Sequence, residues 1–150
     1  MVRIFAHKEH PDAVIPEVAY NNTSACFDIT CIEDTLIPAK GSAIVPNGLN
    51  LSIDQTEKYM MQVQLRSSMG FKRELTLHAG IFDPGYTGSV SVKIYNLGDE
   101  NVIIKKGDRY AQMAVTEIPH HVIIELDDEG WERFKGKQFR GDKGFGSSGK

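Results

Sequence analysis

Apolar and polar positions alternate along much of the chain. Met61, Val63 and Leu65 share one face of an extended segment while Gln62 and Gln64 share the other. The same two-residue period recurs in Val90-Ser91-Val92-Lys93-Ile94 and in Ala111-Gln112-Met113-Ala114-Val115, which is the pattern of half-buried β-strands. Further β-branched runs lie at 43–53, 102–104 and 122–126. Turn signals punctuate them at Pro46-Asn47-Gly48, Asp83-Pro84-Gly85, Leu97-Gly98-Asp99 and Lys106-Gly107-Asp108. No long stretch carries a 3.6-residue period and there is no internal repeat, so the expectation is an all-β sandwich or barrel. At most one short helix is predicted, over Ser67 to Leu75, with Ser67 or Ser68 as its N-cap. Residues 1–126 read as the β body and 127–139 as a polar linker. Residues 140–150 form a glycine-rich tail.

Composition narrows the class. A chain of 150 residues builds one core without staples, and 41% hydrophobic and 25% charged residues are ordinary globular values. The first eight residues are charged too early for a secretory signal, and no apolar run approaches the ~18 residues of a membrane span. Two cysteines, Cys26 and Cys31, make neither a disulfide framework nor a four-ligand zinc site. The expected setting is therefore cytoplasmic, without a membrane partner, and the compact chain suggests a bacterial, phage or viral source. The net charge of -3 argues against general nucleic-acid binding, but the charge is uneven: residues 131–150 carry +4 and the remainder -7. A basic tail on an acidic body suits delivery to a small anion, and it equally suits a solvated terminus.

The tail, Gly141 to Lys150, is too rich in glycine to fill a core, yet Phe145 sits in its middle. Backbone amides, hydroxyls and lysines suit phosphate, and a phenylalanine offers a face on which a base stacks. A frayed terminus is the plainer reading. Gly144 to Lys150 also fits G-x-x-x-x-G-K, but the sequence shows neither the Ser/Thr nor the helix of a P-loop after the lysine, so the expectation is that the match is coincidental. Arg66-Ser67-Ser68 after a strand reads either as an anion cradle or as an ordinary capped helix start. Asp83 entering a Pro-Gly turn is either a turn cap or a general base, with Tyr86 as a platform for a sugar. His7, His10, His78, His120 and His121 lack metal-ligand spacing.

Five of these segments occur in a fixed order. They are Ser24-Ala25-Cys26-Phe27-Asp28-Ile29, Leu65-Arg66-Ser67-Ser68, Ala79 to Gly88 (AGIFDPGYTG), Gly107-Asp108-Arg109-Tyr110-Ala111-Gln112, and Arg140 to Gly149 (RGDKGFGSSG). Together they resemble the five motifs of the homotrimeric dUTP pyrophosphatases, the dUTPases, over almost the whole chain. The resemblance implies a jelly-roll-like β-sandwich that assembles as a trimer with three shared sites. An arm at 118–126 would cross to a neighbouring subunit.

It also implies a chemistry, in which water attacks the α-phosphorus of dUTP in line and releases pyrophosphate and dUMP. Asp83 would orient and deprotonate that water, while Arg66, Ser67, Ser68 and Gln112 hold phosphates. Mg2+ chelated by the triphosphate would offset charge, with Asp28 reaching its water shell or only holding the local turn. A hairpin of about Leu77 to Ser91, including Gly80, would read uracil through backbone groups, and Tyr86 would exclude a ribose. In the tail, Phe145 would stack on uracil while Arg140, Gly146, Ser147 and Ser148 close over the phosphates. The chain departs from the pattern at Cys26, in place of a glycine, at Leu65, in place of proline, and at Phe82, in place of Ile or Val. Pro84-Gly85 resembles the dCTP deaminases, which need a glutamate where this chain has Lys93. A deaminase and a non-catalytic regulatory binding protein on the same scaffold are the alternatives, and an additional regulatory protein partner is compatible with either function.

Overall fold

The computed structural model describes residues 1–18 and 23–138. Among the described residues of Met1–Pro119 there are eleven strands and one helix. In order these are β1 (Ile4–Lys8), β2 (Phe27–Thr30), β3 (Thr35–Ile37), β4 (Ser42–Val45), β5 (Leu49–Ile53), β6 (Tyr59–Leu65), α1 (Ser67–Arg73), β7 (Leu75–His78), β8 (Ile81–Phe82), β9 (Val92–Asn96), β10 (Val102–Ile104) and β11 (Arg109–Glu117). They pair antiparallel into four sheets, β2-β11-β6-β8, β4-β9-β7, β1-β5 and β3-β10. The all-β expectation holds, with the jelly-roll type of fold.

Alternation places the core. Phe27 and Ile29 of β2, Leu49 and Leu51 of β5, Met61 and Val63 of β6, Val92 and Ile94 of β9, and Met113 of β11 are buried in one apolar cluster. The run at 43–53 divides into β4 and β5 because Asn47 turns the chain. Its buried amide donates to Val90 O at 2.6 Å, and its Oδ1 accepts from Leu49 N at 3.0 Å. A register shift between Arg109 and Ala111 in the β11–β2 ladder is a bulge. It allows consecutive residues Tyr110 and Ala111 both to be buried before alternation resumes. The Tyr110 hydroxyl donates to Val45 O at 2.9 Å, and burial pushes its phenol well above the usual range.

Three expectations need correction. The short helix starts at Ser67, but Arg66 takes the N-cap position, with extended φ/ψ and no side-chain cap. Pairing sets this boundary, since Arg66 N donates to Tyr110 O at 3.2 Å and so still belongs to the sheet. The helix ends at Arg73 rather than Leu75: Glu74 turns left-handed at φ 54°, and Leu75 begins β7 with its side chain buried. Residues 122–126 form no strand. Val122, Ile123 and Ile124 are strongly exposed, and a β-branched run without a ladder partner has nothing to pair with.

In the segment from His120 onward, the expected linker holds a second helix, α2 (Asp128–Lys135). Asp127 caps it, accepting from Gly130 N at 2.7 Å. Acidic Asp128 and Glu129 lie in its first turn and basic Arg133 and Lys135 in its last, the arrangement that the helix dipole favours. Trp131 and Phe134 stack on it at 5.9 Å.

Candidate active site

Two concave regions collect the residues singled out from the sequence. The larger, about 730 Å³, lies over the outer face of β2 and β11. Because Phe27 and Ile29 point inward, Asp28 between them points outward; because Ala111 and Met113 point inward, Gln112 does the same. Asp28 and Gln112 are direct cross-strand partners in the ladder, so the period of two alone brings them together. Arg66 reaches the same cavity from the end of β6, and Arg109 from the bulge.

These groups are linked. Asp28 Oδ1 lies 3.3 Å from Arg66 Nε, and its Oδ2 lies 3.0 Å from Arg109 Nη1. Arg66 Nη1 also donates to Arg109 O at 3.4 Å. One partly buried carboxylate therefore holds two guanidinium groups side by side, and Glu17 adds a second carboxylate to the lining of the cavity. Gln112 Nε2 donates to Leu65 O at 3.5 Å, which leaves its carbonyl oxygen and second N–H for a ligand. Ser67 and Ser68 are exposed at the first two positions of α1. Ile15, Pro16 and Cys26 line the same cavity. Cys26, where the family motif has glycine, is not among the described non-glycine residues with positive φ, which are Lys40, Glu74 and Ala79.

The second region, about 290 Å³, is lined by His78 to Asp83 with Tyr86, Ser89 and Ser91. The Leu77–Ser91 segment is not a simple hairpin. β7 pairs with β9, whereas β8 leaves to pair with β6 through Met61↔Phe82 and Gln62↔Ile81. Ala79 and Gly80 make that departure, at φ 63° and 143°. A side chain at Gly80 would put its Cβ 2.8 Å from Val63 O, and the Gly80 carbonyl accepts from Val63 N at 2.7 Å. The φ of 143° and the Cβ clash each require glycine there. Leu77 itself packs against the core and supplies a wall to this turn rather than a lining side chain.

Asp83 stands exposed at the head of the next turn, closed by Tyr86 N donating to Asp83 O at 3.1 Å. Phe82 meets Tyr86 edge to face at 5.8 Å. The Tyr86 hydroxyl donates to Ser89 O at 3.1 Å, and its ring lies over Gly88, where a Cβ would come within 2.7 Å of Cζ. The ring is thus fixed as one wall of a pocket whose other edge carries a carboxylate.

One chain therefore brings together Asp28, Arg66 and Gln112 in one place, and Gly80, Asp83, Tyr86 and Ser91 in another. The two cavities share no lining residue. Arg140, Phe145, Gly146, Ser147 and Ser148 lie outside the described residues. Arg109 and Ser89 were not singled out as site residues. The G-D-R run pointed at Arg109, but only the bulge shows that it shares a carboxylate with Arg66.

Comparison with known proteins agrees with this geometry. The dUTPase family model matches residues 12–149. A deoxyuridine 5'-triphosphate nucleotidohydrolase of Wolinella succinogenes is 37% identical over 146 residues, covering 95% of this chain and 91% of its own. One from Arabidopsis thaliana is 33% identical over 91% of this chain and 77% of its own. Among solved structures, a Staphylococcus bacteriophage 80alpha dUTPase with dUPNHPP superposes with a TM-score of 0.85 at 23% identity, covering 99% of each chain. A dUTPase variant from phage phi11 of S. aureus, described with the coordination of a structural Mg(II) ion, gives 0.75 at 19% identity over 84% of this chain and 97% of that one. With a family model spanning nearly the whole sequence and curated relatives above 30% identity, this chain belongs to the dUTPase family.

Proposed function

We propose that the protein hydrolyses dUTP to dUMP and pyrophosphate, at sites that each combine the two half-sites from different subunits of a trimer. The observation that carries the reading is the partition itself. The cavity around Asp28 carries two guanidinium groups suited to a phosphate chain, beside the carboxylates of Asp28 and Glu17, and the pocket at Asp83 and Tyr86 offers a base and a platform but no lysine or arginine among its lining residues. The second region lacks the arginines that the first supplies. A cyclic trimer would give three equivalent sites.

Within such a site Arg66, Arg109 and Gln112 hold the phosphates, charge-assisted bonds being the strong ones. Asp83 accepts the proton of the attacking water. Tyr86 packs against the deoxyribose at the position where a 2′-hydroxyl would collide. Backbone groups of Ala79 to Ser91 meet the uracil edge with no room for a 5-methyl group.

The donor set fits magnesium carried in by the nucleotide. No group of three or more His, Cys, Asp or Glu side chains forms a cage among the described residues, and Mg2+ favours phosphate oxygens and water. When bound, the ion neutralises charge on the triphosphate. Asp28 is the residue that would meet its water shell, although both its oxygens already face guanidinium groups. Deamination finds no support in β9, where Lys93 lies over the Tyr95 ring at 5.5 Å in place of a glutamate.

Pyrophosphate release measured with dUTP, UTP, dCTP and dTTP in magnesium tests the reading. Turnover confined to dUTP is expected. Comparable turnover of UTP, or ammonia release from dCTP, would refute it.

A further inference from the structure

The ring of Tyr86 is held by a chain of contacts that begins far from it in sequence. Just beyond β1, Glu9 N donates to Gly48 O at 2.8 Å, fixing Glu9 to the β4–β5 turn. Its carboxylate then accepts from Ser89 Oγ at 2.6 Å, across 80 residues of sequence. Ser89 in turn supplies the carbonyl that accepts the Tyr86 hydroxyl. Asn50 supports the same segment, bridging Ser89 and donating from Nδ2 to Thr87 O at 3.1 Å. Hydrogen bonds from Ser89 and Asn50 hold the Glu9 carboxyl below the usual carboxylate range, so it remains an ionised acceptor at neutral pH.

Segment 86–91 forms no regular strand pairing of its own. On its Val90 side it is anchored by Val90 N to Leu49 O at 2.7 Å and by Asn47 Nδ2 to Val90 O. On its Tyr86 side the side-chain contacts include those of Asn50 and Glu9, with Phe82 edge to face against the ring. We propose that Glu9 is a positioning residue for sugar selectivity, acting through Ser89 to hold Tyr86 against the pocket. The role in selectivity rests on the proposed dUTP hydrolysis. The latch itself does not.

The experiment has two arms on the full-length protein. In the first, hydrogen exchange is followed in segment 86–91 without nucleotide. In the second, the ratio of kcat/KM for UTP over dUTP is measured for wild type, Glu9→Ala, Glu9→Gln, Ser89→Ala and the double variant. Both side chains are exposed, so the variants should fold, and thermal melting confirms it. Expected are exchange in 86–91 and a UTP/dUTP ratio each raised about three- to tenfold by Glu9→Ala and by Ser89→Ala. The double variant should go no further than either single one, because both remove the same bond. Glu9→Gln keeps an acceptor oxygen and should lie between wild type and Glu9→Ala. An unchanged UTP/dUTP ratio in folded Glu9→Ala, or single effects that add, would overturn the selectivity role. Unchanged exchange would overturn the latch, whatever the activity. A wild type that turned over no dUTP would instead refute the function, with the exchange arm still deciding the latch.

Discussion

Replacing Asp28 by asparagine keeps the shape of the side chain and removes the charge that two arginines share. The carboxylate lies 3.3 Å from Arg66 Nε and 3.0 Å from Arg109 Nη1, with about a quarter of its side chain exposed against 36% and 58% for the arginines. At such exposure each pair contributes ~0.5–1 kcal/mol after solvent screening. Losing both costs about 1–2 kcal/mol, which for a chain of this size lowers Tm by roughly 2–8 °C. The asparagine carbonyl can accept from one guanidinium but presents N–H groups to the other, so one arginine is released. If that arginine is Arg66, the phosphate grip loosens and kcat/KM for dUTP should fall about tenfold. Calorimetry in low and high salt, with kinetics over a magnesium series, separates the two roles open to Asp28. A positioning carboxylate predicts the drop in Tm, diminished by salt, and an unchanged magnesium requirement. An unchanged Tm with a raised magnesium requirement would refute the reasoning and assign Asp28 to the metal's water shell.

Asp83→Asn should reduce dUTP turnover by about 10²–10⁴-fold while leaving binding of a non-hydrolysable analogue intact by calorimetric titration; an active variant would remove Asp83 from the role of base. Gly80→Ala must adopt φ near 143° with its Cβ 2.8 Å from Val63 O, so a loss of ~2–4 kcal/mol is expected in denaturant melts. The Arg3 guanidinium, 2.7 Å from Asp54, holds that carboxyl below its usual range. Its contribution is therefore complete above the ordinary carboxylate pKa and is lost as pH falls through the lowered one. Protection of β1 amides, taken relative to intrinsic exchange at each pH, should fall below about pH 4, and Asp54→Asn should abolish that dependence.

Much of the β body was legible because its signal is local. Alternation in 61–65 and 111–115 identified strands whose inward residues do form the core, and the same alternation put Asp28 and Gln112 on the opposite face. Elements that depend on a partner were not legible. The run at 122–126 has strand composition, but composition cannot supply a neighbouring ladder. Helix α2 carried its signals openly in Asp127, Asp128, Glu129, Arg133 and Lys135; the glycine at 130 and the brevity of the stretch obscured them. Of the candidate site, the ordered motifs pointed to Asp83, Tyr86 and Arg66. The pairing of Arg109 with Asp28, and the place of Glu9, emerged only from contacts across 81 and 80 residues. The separation into two cavities is likewise a property of the folded chain.

That separation makes mixing of inactive variants the most direct test of a shared site. Asp83→Asn and Arg66→Ala should each be nearly inactive alone, since each damages one half of every site. Co-refolded in equal amounts into mixed trimers, some sites would draw Arg66 from one intact source and Asp83 from another. Random assembly predicts recovery of about one quarter of wild-type dUTP turnover. Mixed trimers, verified by mass spectrometry, that showed no activity above their parents would contradict a site divided between subunits.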